Sequence, residues 1–185
     1  MATANKNLSD HDPNQVPDAS GMHIGIVVSE WNEQITSNLL AGAKKVLLKY
    51  GLEEENLTVK HVPGSFELPT AAQFLLEYTD VDAVICLGCV IQGETKHFDF
   101  VCQGVSQGIK DVSLKYNKPV IFGVLTDNTL QQSIDRSGGK HGNKGEEAAV
   151  SAIKMVALNN SLYEDFQAEL DEFFDIDDED LFEDL

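Results

Sequence analysis

Four apolar runs, each followed by a stretch of helical periodicity, set the tightest limit on how this chain folds. The runs are HIGIVVS (23–29), LTVKHV (57–62), VDAVICL (81–87) and VIFGVL (120–125). They are rich in β-branched residues and mostly do not alternate with polar ones, as expected of strands buried on both faces. Behind them apolar residues return every three or four positions. Ile35, Leu39, Ala43, Val46 and Leu47 form one such stripe, and Val101, Val105, Ile109 and Val112 another.

Strand followed by helix, four times over, predicts a parallel sheet with helices on both sides. Right-handed crossovers then predict an α/β fold, a three-layer α/β/α sandwich with a four-stranded, mainly parallel sheet of flavodoxin-like type. In such sheets ligands bind beyond the carboxyl ends of the strands. The punctuation agrees. Asn32 is placed to cap the first helix and Gly51 to end it. Pro63-Gly64 closes the second strand, and Pro69 fits the first turn of the second helix. Asn143 and Glu146 stand as a cap pair before the last helix, after a Gly-, Lys- and Ser-rich loop that runs to about Gly142.

The domain is expected over residues 22–160. Residues 1–21 carry no periodic apolar face and read as a flexible arm. The formal charge of −18 is concentrated at the other end: residues 161–185 hold 12 Asp or Glu and no Lys or Arg. The remaining nineteen acids face thirteen bases, a balance that argues against a nucleic-acid backbone as partner. Leu162, Phe166, Leu170 and Phe173 continue a helical spacing into this acidic tail, which reads as a solubilising appendage or as a docking peptide for a basic partner. No apolar stretch is long enough to span a membrane, so no membrane role is expected. Cys86, Cys89 and Cys102 are odd in number and sit inside apolar patterns, which suits reduced thiols in a cytoplasm. Cys86 and Cys89 form a C-x-x-C, but on a strand that spacing turns the two thiols to opposite faces, so no metal site is expected.

The segment GCVIQGETKHFDF (88–100) carries the chemistry. It joins a strand to a helix expected to start at about His97. A helix start offers unpaired N–H groups and the positive end of a dipole, a cradle for phosphate. The same dipole end disfavours an imidazolium, so His97 suits the part of a base.

Several stretches resemble the lumazine synthase family, which makes the penultimate intermediate of riboflavin. They are IGIVV (24–28) with Trp31-Asn32, VPGSFELP (62–69), LGCVIQGETKHFD (87–99), PVIFG (119–123) and Arg136-Ser137-Gly138 through GNKG (142–145). The resemblance covers about residues 23–159. It implies condensation of 5-amino-6-(D-ribitylamino)uracil with 3,4-dihydroxy-2-butanone 4-phosphate to 6,7-dimethyl-8-ribityllumazine, phosphate and water, with no cofactor. It implies His97 as the catalytic base. Trp31 stacks on the uracil, Ser65, Phe66 and Glu67 meet the ribityl chain and ring, and Cys89, Val90 and Ile91 bind through the backbone. Phe122 forms an opposite wall. Arg136 grips the phosphate, with the N–H groups of Glu94 and Thr95 and the Thr95 hydroxyl beside it. The Glu94 carboxylate itself must turn away, and Lys140 and Lys144 lie in the same basic loop. Gln92 stands where many members have a basic residue.

The resemblance also implies a homopentamer whose sites lie between subunits: one chain gives His97, Trp31 and Glu67, the next gives Phe122 and Arg136. The short 138–145 loop points to a 60-subunit icosahedral shell. Two other classes fit the fold. A flavin-binding module would keep Trp31 without needing His97, and an inert cage would need neither His97 nor Arg136. A flavodoxin-type electron carrier fits less well, because the first strand leads into Ser29-Glu30-Trp31-Asn32 and not into a Ser/Thr-rich phosphate loop.

Overall fold

The computed structural model describes residues 7–176; residues 1–6 of the expected arm and 177–185 of the acidic tail lie outside it. Strands β1 (Ile24–Ser29), β2 (Leu57–Val62), β3 (Ala83–Ile91) and β4 (Val120–Asp127) form one sheet in the order β2-β1-β3-β4. Every pairing in it is parallel. Helices α1 (Glu33–Lys49) and α5 (Lys144–Ile176) cover one face, and α2 (Leu68–Tyr78) and α3 (His97–Tyr116) the other. The expected three-layer sandwich is therefore present.

Alternation along the strands builds two cores. Ile24, Ile26, Val28, Ile85, Leu87 and Cys89 pack against Ile35, Leu39, Ala149 and Ile153. Val27, Val84 and Cys86 pack against Leu68, Leu75, Val105 and Ile109. Cys86 and Cys89 thus face opposite layers, as their spacing requires. Burial pushes both thiols up, Cys86 far above the ordinary range and Cys89 to about 11. All three cysteines are free. Among the described residues no helix is long and apolar enough to cross a membrane.

Four expectations need correction. The first concerns the arm. Over the described residues it is a strap held to the domain, with Val16, Ala19 and Met22 buried in the first core. The Leu8 N–H donates to the His141 carbonyl at 2.7 Å, and the Asn143 N–H donates to Ser9 Oγ at 3.0 Å. A spacing of three between buried residues gave too sparse a pattern to read.

The second concerns Asn32, which does not cap α1 with its side chain. Its backbone is left-handed at φ 60°, a conformation asparagine tolerates, and its amide instead donates to the Cys89 carbonyl at 2.9 Å. Gly51 ends α1 as expected, at φ +98°.

Third, half of the cap pair at α5 forms. Asn143 Oδ1 accepts from the Gly145 N–H at 2.8 Å, whereas Glu146 turns to Lys45 at 3.1 Å because Ser9 already takes the Asn143 N–H.

Fourth, the glycine-rich loop contains structure. Helix α4 (Leu130–Arg136) follows β4 and leads into a small antiparallel pair, β5 (Ser137–Gly139) and β6 (Gly142–Asn143). Helix α5 also passes the expected domain end at residue 160, and it leaves Leu158, Leu162, Tyr163 and Phe166 exposed.

Candidate active site

The chain runs from β1 to β2 on one side of the sheet and later to β3 on the other. The order reverses beside β1, and a crevice opens there beyond the strand ends. It holds a cavity of about 660 Å³ lined by Trp31, Asn32, Gly64, Ser65, Phe66, Glu67, Cys89, Val90, Ile91, His97, Phe100 and Val101. Eight of the expected site residues meet here: Trp31, Ser65, Phe66, Glu67, Cys89, Val90, Ile91 and His97.

Each side chain is placed by the element that ends beneath it. The Glu30 N–H donates to the Val62 carbonyl at 2.8 Å and the Trp31 N–H to Pro63 at 3.3 Å, so the turn after β1 is tied to the end of β2. The Asn32 amide ties the same turn to β3 through Cys89. Gly64 leaves room between two side chains that define the mouth: a Cβ built there would stand 3.0 Å from Glu67 Oε2 and 3.5 Å from Trp31 Cδ1. Trp31, Phe66 and Phe100 are 73, 59 and 69% exposed around one opening. A cluster of large aromatics left in water marks a binding surface.

Gly88 and Ser65 set the floor. A Cβ on Gly88 would fall 2.6 Å from Ser65 Oγ and 2.9 Å from Leu68 Cδ1. Ser65 is 6% exposed, and its hydroxyl has no hydrogen-bond partner among the described residues. Replacing Gly88 by valine is expected to destabilise the fold by about 1–3 kcal/mol through overpacking. A thermal melt checks this, and an unchanged midpoint contradicts it.

His97 opens α3 with an exposed ring, and its N–H donates to Thr95 Oγ1 at 3.4 Å. Thr95 thus takes the backbone N–H of the first helical residue, while Lys96, the N-cap, makes no side-chain capping bond. Neither Glu94 nor Thr95 spends its own N–H on another backbone carbonyl among the described residues. Two donors thus sit at the positive end of a 20-residue helix, beside the imidazole. Glu94 is exposed, which lets its carboxylate turn to water.

Four expected site residues, Glu94, Thr95, Phe122 and Arg136, do not line this cavity. Phe122 lies half-buried on β4 against the α2–α3 layer. Arg136 ends α4, where Nη1 donates to the Gln132 carbonyl at 3.2 Å and Nε stands 3.9 Å from Asp127 Oδ1. Lys140 pairs with Asp135 at 3.1 Å and Lys144 with Glu147 at 2.7 Å, so neither is an idle cation. Sequence reasoning missed Phe100 and Val101. The signal was available, since residues three and four beyond His97 on a helix share its face.

Comparisons with known proteins place the chain in a family. A family model described as 6,7-dimethyl-8-ribityllumazine synthase matches residues 21–160. A protein of that description from Parabacteroides distasonis is 61% identical over 156 residues, 84% of this chain and 98% of the relative. One from Cytophaga hutchinsonii is 58% identical over 157 residues, 85% of this chain and 98% of the relative. One from Flavobacterium johnsoniae is 59% identical over 158 residues, 85% and 83% of the two chains.

Proposed function

The chain belongs to the 6,7-dimethyl-8-ribityllumazine synthase family, and from that membership we propose a division of labour among its residues. The chain is a transferase of riboflavin biosynthesis. It condenses 5-amino-6-(D-ribitylamino)uracil with 3,4-dihydroxy-2-butanone 4-phosphate to give 6,7-dimethyl-8-ribityllumazine, phosphate and water. The uracil stacks on Trp31, a contact worth about 1 kcal/mol beyond the area buried. Ser65 and Glu67 take ribityl hydroxyls, Phe66 packs on the same substrate, and the backbone of Cys89, Val90 and Ile91 reads the ring. The phosphate rests on the N–H groups of Glu94 and Thr95. His97 moves protons as the amine adds to the ketone carbonyl, water is lost to an imine, and phosphate departs.

The convergence of His97, Trp31, Ser65 and Glu67 on one cavity carries this reading. It favours an enzyme over a flavin-binding module, which needs no base at a helix start.

Phe122 and Arg136 complete the site from a neighbouring subunit. Both are attached to β4, the strand at one edge of the sheet, where a neighbour can reach them. Their absence from the lining of the chain's own cavity supports a homopentamer with shared sites, and the short turn between β5 and β6 supports pentamers closing into a 60-subunit shell. Three free thiols support a cytoplasmic setting. Exposed Leu158, Leu162 and Phe166, leading into a sequence of acids without bases, support docking of a basic partner on the tail.

The test is Arg136→Ala. Losing a bidentate phosphate contact is expected to raise KM for the phosphorylated ketone about 10–100-fold, with a much smaller change for the aminouracil. Steady-state kinetics with each substrate varied in turn decide it. An unaltered KM for the ketone removes Arg136 from the phosphate site.

A further inference from the structure

Asp127 is the last residue of β4 and is only 9% exposed. A carboxylate so placed needs partners for both oxygens. Oδ2 accepts from the Ser133 hydroxyl at 2.9 Å, and Oδ1 faces Arg136 Nε at 3.9 Å. Ser133 Oγ in turn accepts from the Cys89 thiol at 3.4 Å. Burial above all, and the Asp127 charge as well, raise that thiol to about 11, so it stays an S–H donor. The backbone fixes the carboxylate too. Asp127 pairs with Ile91 in register, and its carbonyl accepts from the Gln92 N–H at 2.9 Å.

The result is one connected line of side chains: Cys89, Ser133, Asp127, Arg136. Its first member lines the chain's own cavity. Its last is the guanidinium assigned above to a neighbour's phosphate site. Arg136 is held on two sides, by Asp127 at Nε and by the Gln132 carbonyl at Nη1. A guanidinium has five N–H groups in a rigid plane. One of them, on Nη1, is spent on Gln132, the Nε group faces the Asp127 carboxylate at ion-pair distance, and the rest remain for an anion.

We propose that Asp127, supported by Ser133, is a positioning residue that fixes the plane of the Arg136 guanidinium for the substrate phosphate and couples that plane to the wall of the chain's own cavity. The proposal rests on Arg136 as a phosphate ligand. It differs from a plain counter-charge in the sign of one effect. If Asp127 merely neutralised Arg136, its removal would leave a bare cation and tighten phosphate binding. If it sets the plane, removal weakens binding although the local charge becomes more positive.

The experiment compares Asp127→Ala, Asp127→Asn and Ser133→Ala with Arg136→Ala, in the full-length assembled enzyme. It reads KM for both substrates, kcat, and inhibition by inorganic phosphate. Asp127→Ala is expected to raise both the ketone KM and the phosphate inhibition constant about tenfold, with kcat and the aminouracil KM within about threefold. Asp127→Asn keeps the shape and an acceptor for Nε, and Ser133→Ala removes only the support. Each is expected to give a smaller rise of about two- to fivefold. Should Asp127→Ala fail to fold, these two variants carry the test by the sign of the change. A ketone KM that falls or stays level in the Asp127 variants, while Arg136→Ala raises it, overturns this proposal alone. A level KM in Arg136→Ala overturns the phosphate role and the proposal with it.

Discussion

Replacing His97 by alanine is expected to lower kcat by about 10²-fold and to leave both KM values within a few fold. The expectation follows from position. The ring stands at the first residue of α3, exposed on the cavity, and makes no side-chain hydrogen bond among the described residues. It is the one imidazole among the residues that line the cavity. On the division of labour proposed above, binding is carried elsewhere, by the aromatic mouth, the Ser65–Glu67 turn and the helix-start N–H groups, so substrate affinity should survive. His97→Gln keeps a hydrogen-bonding group of similar reach and should lose nearly as much, because an amide does not titrate. Steady-state rates for both variants give the answer. A kcat within threefold of the parent would mean that His97 is a wall and not a base.

The second large effect concerns sharing. If Arg136 serves a neighbour's cavity, His97→Ala and Arg136→Ala subunits are each defective but complementary. Refolded together in equal amounts, they should regain roughly a quarter of parental activity, since a site is whole only where a chain with His97 meets a neighbour with Arg136. Assayed as separate assemblies and then summed, the same two proteins should show almost none. Activity of the co-refolded sample no higher than that sum would place both groups in one chain's site or remove one of them from it. The geometry makes the outcome informative: within a single chain His97 lines the cavity and Arg136 does not.

The legible and illegible parts of this structure differ for physical reasons. Buried strands wrote themselves as unbroken apolar runs, and α3 announced its face through a stripe ending at Val112. The ends of β3 and β4 were harder. Pairing continues to Ile91 and Asp127, four and two residues past the expected stops, because there one side of the ladder meets the cavity rather than a helix. Helix α4 escaped notice because its seven residues are mostly polar. Its Thr129 cap, accepting from the Gln132 N–H at 3.3 Å, was nevertheless present in the sequence as a Thr-x-x-Gln spacing. The cavity residues that sequence reasoning found came from the resemblance and from strand ends. Asn32 was seen only as a helix cap. Asp127 carries no role in the sequence pattern, since its partners Ser133 and Arg136 meet it through α4, a helix without an apolar stripe.

Gly64 and Gly88 shape the cavity by lacking a carbon. The depth of the crevice is set by two hydrogens, one beneath Ser65 and one between the indole and the carboxylate. Retailoring this enzyme for bulkier or smaller ketones must therefore start from the opposite bank. Phe100 is 69% exposed on α3, and trimming it enlarges the chamber at little cost, whereas Val101 also packs against the second core.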